Sequence, residues 1–234
     1  MITTDDIGWF GRLRSDRSLI LLFLFVAVLL LIFLKLGSEI FEGESFALDR
    51  EILLGLRVPG DLMQPIGPKW LLPVMRDLTV FGGVTGLTLV TTLAVLFFVA
   101  SRNAWIAAYV LGAVVVGALL ADRLKLLFVR ARPTIVPHLV DVTNASFPSG
   151  HAMNSAIVYL TLAALVARTQ PKRAVRIYVQ AAAVMLTLIV GCSRLYLGVH
   201  WPSDVLAGWC AGSVWALLCS FALHRYLPVP RRAD

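Results

Sequence analysis

The 234-residue sequence predicts an all-α, polytopic membrane protein: a six-helix bundle with an amphipathic interfacial segment between its first two spans. Three observations carry this reading. Hydrophobic residues make up 59% of the chain and charged residues only 15%, against roughly 25% charged in a soluble domain. The apolar residues gather in six nearly charge-free runs, too many to hide in one small core. Backbone polar groups in lipid must pair within their own segment, which makes each run a helix. The same composition excludes intrinsic disorder, which requires low hydrophobicity.

The runs are Leu19–Leu34, Leu78–Ala100, Ala104–Ala121, Ala152–Ala167, Ile177–Cys192 and Val205–Leu223. With their flanks they place spans at about 18–36, 78–100, 104–124, 149–168, 176–196 and 203–224 of one membrane domain, 1–234. Arg12, Arg14 and Arg17 precede the first run, which is too long for a cleaved signal and is followed by a poor cleavage site; it reads as a retained signal-anchor. Segment 37–77 holds Pro59, Pro65, Pro68 and Pro73 and is not one helix. Within it, Phe46–Arg57 sets Leu48, Ile52 and Leu56 four apart beside Asp49, Arg50 and Glu51. That spacing predicts a helix lying at the membrane interface, as a structural collar or a lipid-entry element. Gly82-x-x-x-Gly86 and Gly208-x-x-x-Gly212 permit close helix contact. Cys192, Cys210 and Cys219 all fall in apolar segments and read as small buried hydrophobes.

The formal net charge is +7, but no basic stripe dominates any face, which argues against a nucleic-acid partner. Six spans put both termini on one side, with Arg12, Arg14, Arg17, Arg102, Arg168, Lys172, Arg173, Arg176, Arg225, Arg231 and Arg232. Its acids are Asp5, Asp6, Asp16 and Asp234, so the whole net charge falls there and this face reads as cytoplasmic. Arg123 and Arg130, near the end of span three, read as side chains reaching for the interface. His138 and His224 read as solvated or interfacial.

Three polar clusters border the spans on the opposite side: Lys125 to Arg132-Pro133, Pro148-Ser149-Gly150-His151, and Ser193-Arg194 through His200 to Asp204. Lys125, Arg132 and Arg194 are cations without matching acids, suited to grip a phosphate. Ser149 and Gly150 open a helix, where free N–H groups favour an anion. Pro202 suits the first turn of span six, so Asp204 reaches back to His200. A carboxylate on one ring nitrogen fixes the tautomer and leaves the other nucleophilic. His151 remains as a second imidazole to protonate a leaving oxygen. This constellation describes phosphoryl transfer through a phosphohistidine. Asp204 is the only acid in the three clusters, so neither a metal nor another cofactor is expected.

The clusters resemble the signature of the type-2 phosphatidic acid phosphatase superfamily, K-x6-RP, PSGH and SR-x5-H-x3-D, at every fixed position. The resemblance spans Lys125–Asp204 as motif and most of the chain as span pattern. It implies His200 as nucleophile, Asp204 orienting it and His151 as general acid, with Lys125, Arg132, Ser149, Gly150 and Arg194 binding phosphate. It also implies a bacterial inner-membrane enzyme, multi-pass, with cytoplasmic termini and a periplasmic site. Its substrate would be a bilayer lipid phosphate or pyrophosphate: undecaprenyl pyrophosphate, phosphatidylglycerol phosphate, phosphatidic acid or a lipid A phosphate. Two other functions stay open: a lipid phosphotransferase using the same intermediate, and a non-catalytic phospholipid-binding or transport protein.

Overall fold

The computed structural model describes residues 4–43 and 46–226, with side chains described for Arg17, 19–43 and 46–225. The first turns of the signal-anchor segment, with Arg12 and Arg14, are therefore described as backbone only, and Arg231 and Arg232 lie outside the described residues. The elements run α1 Thr4–Phe41, α2 Ala47–Gly55, β1 Arg57–Val58, β2 Asp61–Pro65, α3 Leu71–Val80, α4 Val84–Ala100, α5 Ala104–Phe128, α6 Gly150–Thr169, α7 Arg173–Tyr196 and α8 Pro202–Tyr226. Helices α1, α5, α6, α7 and α8 are each long and apolar enough to cross a bilayer. The bent pair α3 and α4 makes a sixth span if counted together.

Helix α6 sits at the centre. Of its most apolar stretch 61% is buried, against 6% for α1 at the rim. The reason is side-chain size. Ala152, Ser155, Ala156 and Ala163 line buried faces of α6, and α8 meets them with glycines. A Cβ on Gly208 would stand 2.7 Å from the Ser149 carbonyl oxygen, and one on Gly212 would strike the Met153 carbonyl. The Gly208/Gly212 pair thus packs α8 on α6, as its spacing predicts. Two indoles tie the helices further: Trp215 Nε1 donates to the Ala113 carbonyl at 2.8 Å, and Trp209 Nε1 to the Thr187 carbonyl at 3.1 Å. Outward faces present bare apolar side chains such as Leu21, Phe23, Phe97, Leu126 and Met185. A soluble monomer does not expose such a belt; a bilayer covers it.

Overpacking α6 against α8 should therefore be felt at once. Gly208→Val is expected to destabilise the bundle by about 1–3 kcal/mol, read as a lowered unfolding temperature in detergent. An unchanged temperature would mean that the two backbones are not held this close.

Three sequence readings need correction. Span two is not one helix over 78–100: the chain breaks between α3 and α4 and bends by 49°. Glycines cause the break. Gly83 precedes α4 in an extended conformation, and a Cβ on Gly82 would collide with Val190 and crowd His151. Gly82 does allow the close approach to other helices that its spacing suggests, but at a bend that sets α3 against α7, and Gly86 abuts the Val80 carbonyl across that bend. Second, segment 37–77 contains a β1–β2 hairpin, antiparallel with Arg57 opposite Pro65, turned through Gly60 at φ +88°. Third, Cys192 is exposed on α7 while Cys210 is buried and Cys219 half-buried.

Helix α2 does lie within Phe46–Arg57, and its two faces divide sharply. Leu48 and Ile52 are exposed, whereas Leu53 and the carboxylate-bearing Asp49 are buried. Arg57, also buried, donates to the carbonyls of Leu56 and Tyr196. It thereby covers the C-terminus of α7, where the helix dipole favours a cation.

Candidate active site

All three polar clusters arrive at one end of the bundle, and they line one cavity of about 350 Å³. Lys125 comes from the last turn of α5, His151 from the first turn of α6, Arg194 from the last turn of α7. Arg132 belongs to the α5–α6 loop and His200 to the turn before α8. Lys125, Arg132, Gly150, His151, Arg194 and His200 line the cavity directly.

His200 is held from both sides. Its Nδ1 lies 3.4 Å from Asp204 Oδ2 and 3.4 Å from Ser146 Oγ, while its Nε2 faces Arg132 Nη1 at 3.3 Å. An arginine only donates. The tautomer that satisfies both contacts therefore carries its proton on Nδ1, toward the carboxylate, and keeps the Nε2 lone pair toward the cavity. Asp204 is buried and its acceptor sites are filled. Oδ2 accepts from the Trp201 backbone N–H at 2.8 Å and from Ser146 Oγ; Oδ1 accepts from Arg130 Nη1 at 2.6 Å. The Trp201 bond is the reach-back of a third-position carboxylate to the helix N-cap, so starting α8 and orienting His200 are one task.

The cations lining the same cavity are held in place as follows. Arg132 is locked by Asn144, whose carbonyl and side-chain oxygens take Nε and Nη2 at 2.8 and 2.9 Å, and by the Val199 carbonyl. Arg194 is buried; its Nη1 donates to Thr79 of α3 at 2.9 Å, and its Nε has no partner within the protein. The hydroxyl of Ser149 is likewise buried and unpartnered at the start of α6. Lys125 Nζ donates to the Ala145 carbonyl at 2.7 Å, and a Cβ on Gly150 would press on its side chain at 3.2 Å. Buried donors without acceptors are costly in an apolar setting. Arg194 faces the cavity, and Ser149 sits next to Gly150 in its wall, so both are placed near an incoming anion.

Sequence reasoning missed several members. Arg130 is not an interfacial side chain. Its guanidinium is nearly buried and bridges Asp204 to Asp49 of α2, at 2.6 and 3.0 Å. It also lies over the rings of Phe46 and Trp201. Asp49 in turn accepts from the backbone N–H of Ser203 at 2.8 Å. Ser146, Asn144 and Thr79 are further supports. Asp122 and Asp141 also line the cavity, so Asp204 is not the only acid near it. Among the described residues, no group of three His, Cys, Asp or Glu side chains is placed to hold a metal ion. Arg123 and His224 are exposed, in keeping with their sequence reading. His138 is exposed and bonded to the Pro133 carbonyl at 2.7 Å.

Burial pushes the His200 imidazole down to about 4, against the pull of its hydrogen bond to Asp204. It is therefore neutral through the physiological range and takes up a proton only as the pH falls through about 4. In spectra of ¹⁵N-histidine-labelled protein, the His200 ring signals are expected to titrate well below 6.5. A His200 midpoint at 6.5 or above would contradict this environment.

A second hollow of about 240 Å³ adjoins the polar cavity between α4, α5 and α6. The two share Val84, Leu87 and Asn154, and the rest of the second is walled by residues such as Leu111, Val114 and Val158. The polar cavity and a mostly apolar hollow thus lie side by side with a shared wall.

Comparison with known proteins gives one consistent result. The family model described as the PAP2 superfamily matches residues 104–226. The chain is similar to phosphatidylglycerophosphatase B of Bacillus subtilis, 36% identical over 152 residues, covering 63% of this chain and 72% of that protein. It is similar to a lipid A 1-phosphatase of Rhizobium etli, 30% identical over 175 residues and 71% of each chain. Among solved structures, a transmembrane PAP2-type phosphatidylglycerolphosphate phosphatase from Bacillus subtilis superposes with a TM-score of 0.76. It is 29% identical, over 88% of this chain and 98% of that one.

Proposed function

Because this chain belongs to the PAP2 superfamily, we propose that it is an integral-membrane phosphatase that hydrolyses a lipid phosphate or pyrophosphate through a phosphohistidine. One observation carries the reading: the cationic cavity around His200 Nε2 shares a wall with an apolar groove among membrane helices. The polar part suits a phosphate and the groove suits a tail that never leaves the bilayer. The relatives named for phosphatidylglycerophosphate and lipid A phosphate support the same substrate class.

The chemistry follows from the placement of the groups. His200 Nε2 attacks phosphorus, and the bond from phosphorus to the lipid-side oxygen breaks. His151 protonates that oxygen as it leaves. Arg132, Arg194, Lys125 and the Ser149–Gly150 turn hold the three remaining phosphoryl oxygens as charge builds on them. Asp204 stabilises the cationic ring that has formed. Water then attacks the phosphohistidine and gives its proton to His151. The N–P bond breaks, and inorganic phosphate and neutral His200 are regenerated. In this reading the site faces the periplasm of a bacterial inner membrane, as the family resemblance implies, with cytoplasmic termini, an orientation that the charge bias of the loops supports.

The test is release of inorganic phosphate by the purified protein from a panel of lipid monophosphates and pyrophosphates. Turnover of at least one is expected, and it should persist in the presence of a chelator, since the chain's own cations bind the phosphate. Binding without turnover across the panel would overturn the enzymatic reading. Appearance of the phosphoryl group on an added lipid alcohol instead of in solution would identify a phosphotransferase.

A further inference from the structure

The opposite end of the bundle holds a second cationic pocket that the catalytic reading does not use. Helices α6, α7 and α8 deliver His151, Arg194 and Asp204 to the phosphate site. Their other ends bring Arg168, Arg176 and His224 around a cavity of about 430 Å³, closed by Leu19 and Leu22 of α1. Helix α6 has 20 residues, so about 30 Å of helix separates the two sites, close to the hydrocarbon thickness of a bilayer. They lie at opposite membrane interfaces.

Among the described residues, the second pocket is lined by cations and no acidic side chain. Nη1 of Arg168 is buried with no hydrogen-bond partner. Among the described residues, the fully buried guanidiniums either have several acceptors, as Arg57 does, or face the phosphate cavity, as Arg194 does. A guanidinium nitrogen shielded from water without an acceptor is costly, and an anionic ligand removes that cost. The walls state which anion. Leu19, Leu22, Leu217 and Phe221 line the pocket and continue into an adjoining groove of about 340 Å³, completed by Phe23, Val26 and Leu218. That groove is apolar throughout and runs along α1 and α8 into the span. A free phosphate or a nucleotide has no group to fill it. A lipid has both parts, a charged head for the arginines and a chain for the groove.

We propose that Arg168, Arg176 and His224 bind the phosphate of an anionic glycerophospholipid in the leaflet opposite the catalytic site, with one acyl chain in the α1–α8 groove. The site is separate from the catalytic cavity and does not depend on the reaction assigned to it. The guanidinium pair supplies charge-assisted bonds to phosphate oxygens. A zwitterionic head offers the same phosphate but adds a cation beside two arginines.

The test is native mass spectrometry of the full chain with phosphatidylglycerol and phosphatidylcholine of identical acyl chains. Phosphatidylglycerol should be retained at least about tenfold better. Arg168→Gln/Arg176→Gln should erase that preference. Arg102→Gln/Arg173→Gln removes the same charge from the same face outside the pocket and should keep it. So should Lys125→Gln in the phosphate cavity. If the double variant does not fold, Arg176→Gln/His224→Gln, at exposed positions, decides in its place. Equal retention of both lipids would overturn the proposal. So would a preference lost with Lys125→Gln, or one lost equally in the Arg102/Arg173 pair, or full competition by inorganic phosphate.

Discussion

His200→Ala is expected to lose phosphate release by at least about 10³-fold, with the bundle still folded. The loss is large because His151, the other imidazole lining the cavity, is already taken up in protonating the leaving oxygen. Folding should survive because Asp204 keeps the Trp201 N–H, Ser146 and Arg130 as partners when the imidazole is gone. No orphaned carboxylate is left in the core. Circular dichroism and the unfolding temperature check the fold, and phosphate release checks the chemistry. His151→Ala sharpens the assignment. It should lose most activity on lipid esters, whose alkoxide leaves poorly, and far less on an aryl phosphate, whose leaving group needs no proton. Equal losses on both would remove His151 from the role of general acid. Near-normal turnover by His200→Ala would remove His200 from that of nucleophile.

Arg130→Gln is expected to reduce kcat by about 10- to 100-fold with little change in KM, although Arg130 does not line the phosphate cavity. Breaking a buried ion pair by removing one partner costs about 3–5 kcal/mol. Here two carboxylates lose the same partner. Asp204 is then free to turn away from His200 Nδ1, and the correct tautomer is no longer enforced. Asp49→Asn acts one step further out and should give a smaller loss in the same direction. Arg130→Lys should restore little, since an ammonium lacks the fork that spans both carboxylates. A purely structural Arg130 would lower the unfolding temperature and leave kcat untouched, and that result would separate it from the site. The link also gives the interfacial helix a purpose. Helix α2 turns Leu48 and Ile52 outward and carries Asp49 inward to Arg130, which holds Asp204.

The sequence made the charged and histidine members of this site legible because each sits in a short run with few neighbours of its kind. Lys125, Arg132, His151, Arg194, His200 and Asp204 are ionisable groups at the borders of apolar spans, where they are costly unless they serve a site. The supports left no such mark. Ser146, Asn144 and Thr79 are small polar residues of types common in any loop or helix end. Arg130 sits two residues from Arg132 and shares its composition and flank, so only its partners distinguish it. Asp49 lies 81 positions from Arg130, and its neighbours Arg50 and Glu51 made it part of an ordinary polar face. The span pattern was legible wherever an apolar run was unbroken. It failed at α3–α4, where Gly82 and Gly83 sit within a hydrophobic run and the bend depends on contact with Val190 and His151 on other helices. The β1–β2 hairpin was hidden for a similar reason: one of its strands is only two residues long, too short for any alternation to register.

The central claim is a covalent phosphoryl-enzyme formed and discharged at one nitrogen. Its most direct test is the stereochemical course at phosphorus, using a lipid phosphorothioate made chiral with oxygen isotopes and hydrolysed in isotopically labelled water. Two in-line displacements, by His200 and then by water, give overall retention of configuration. Inversion would mean that water attacks the substrate directly, and it would contradict the phosphohistidine.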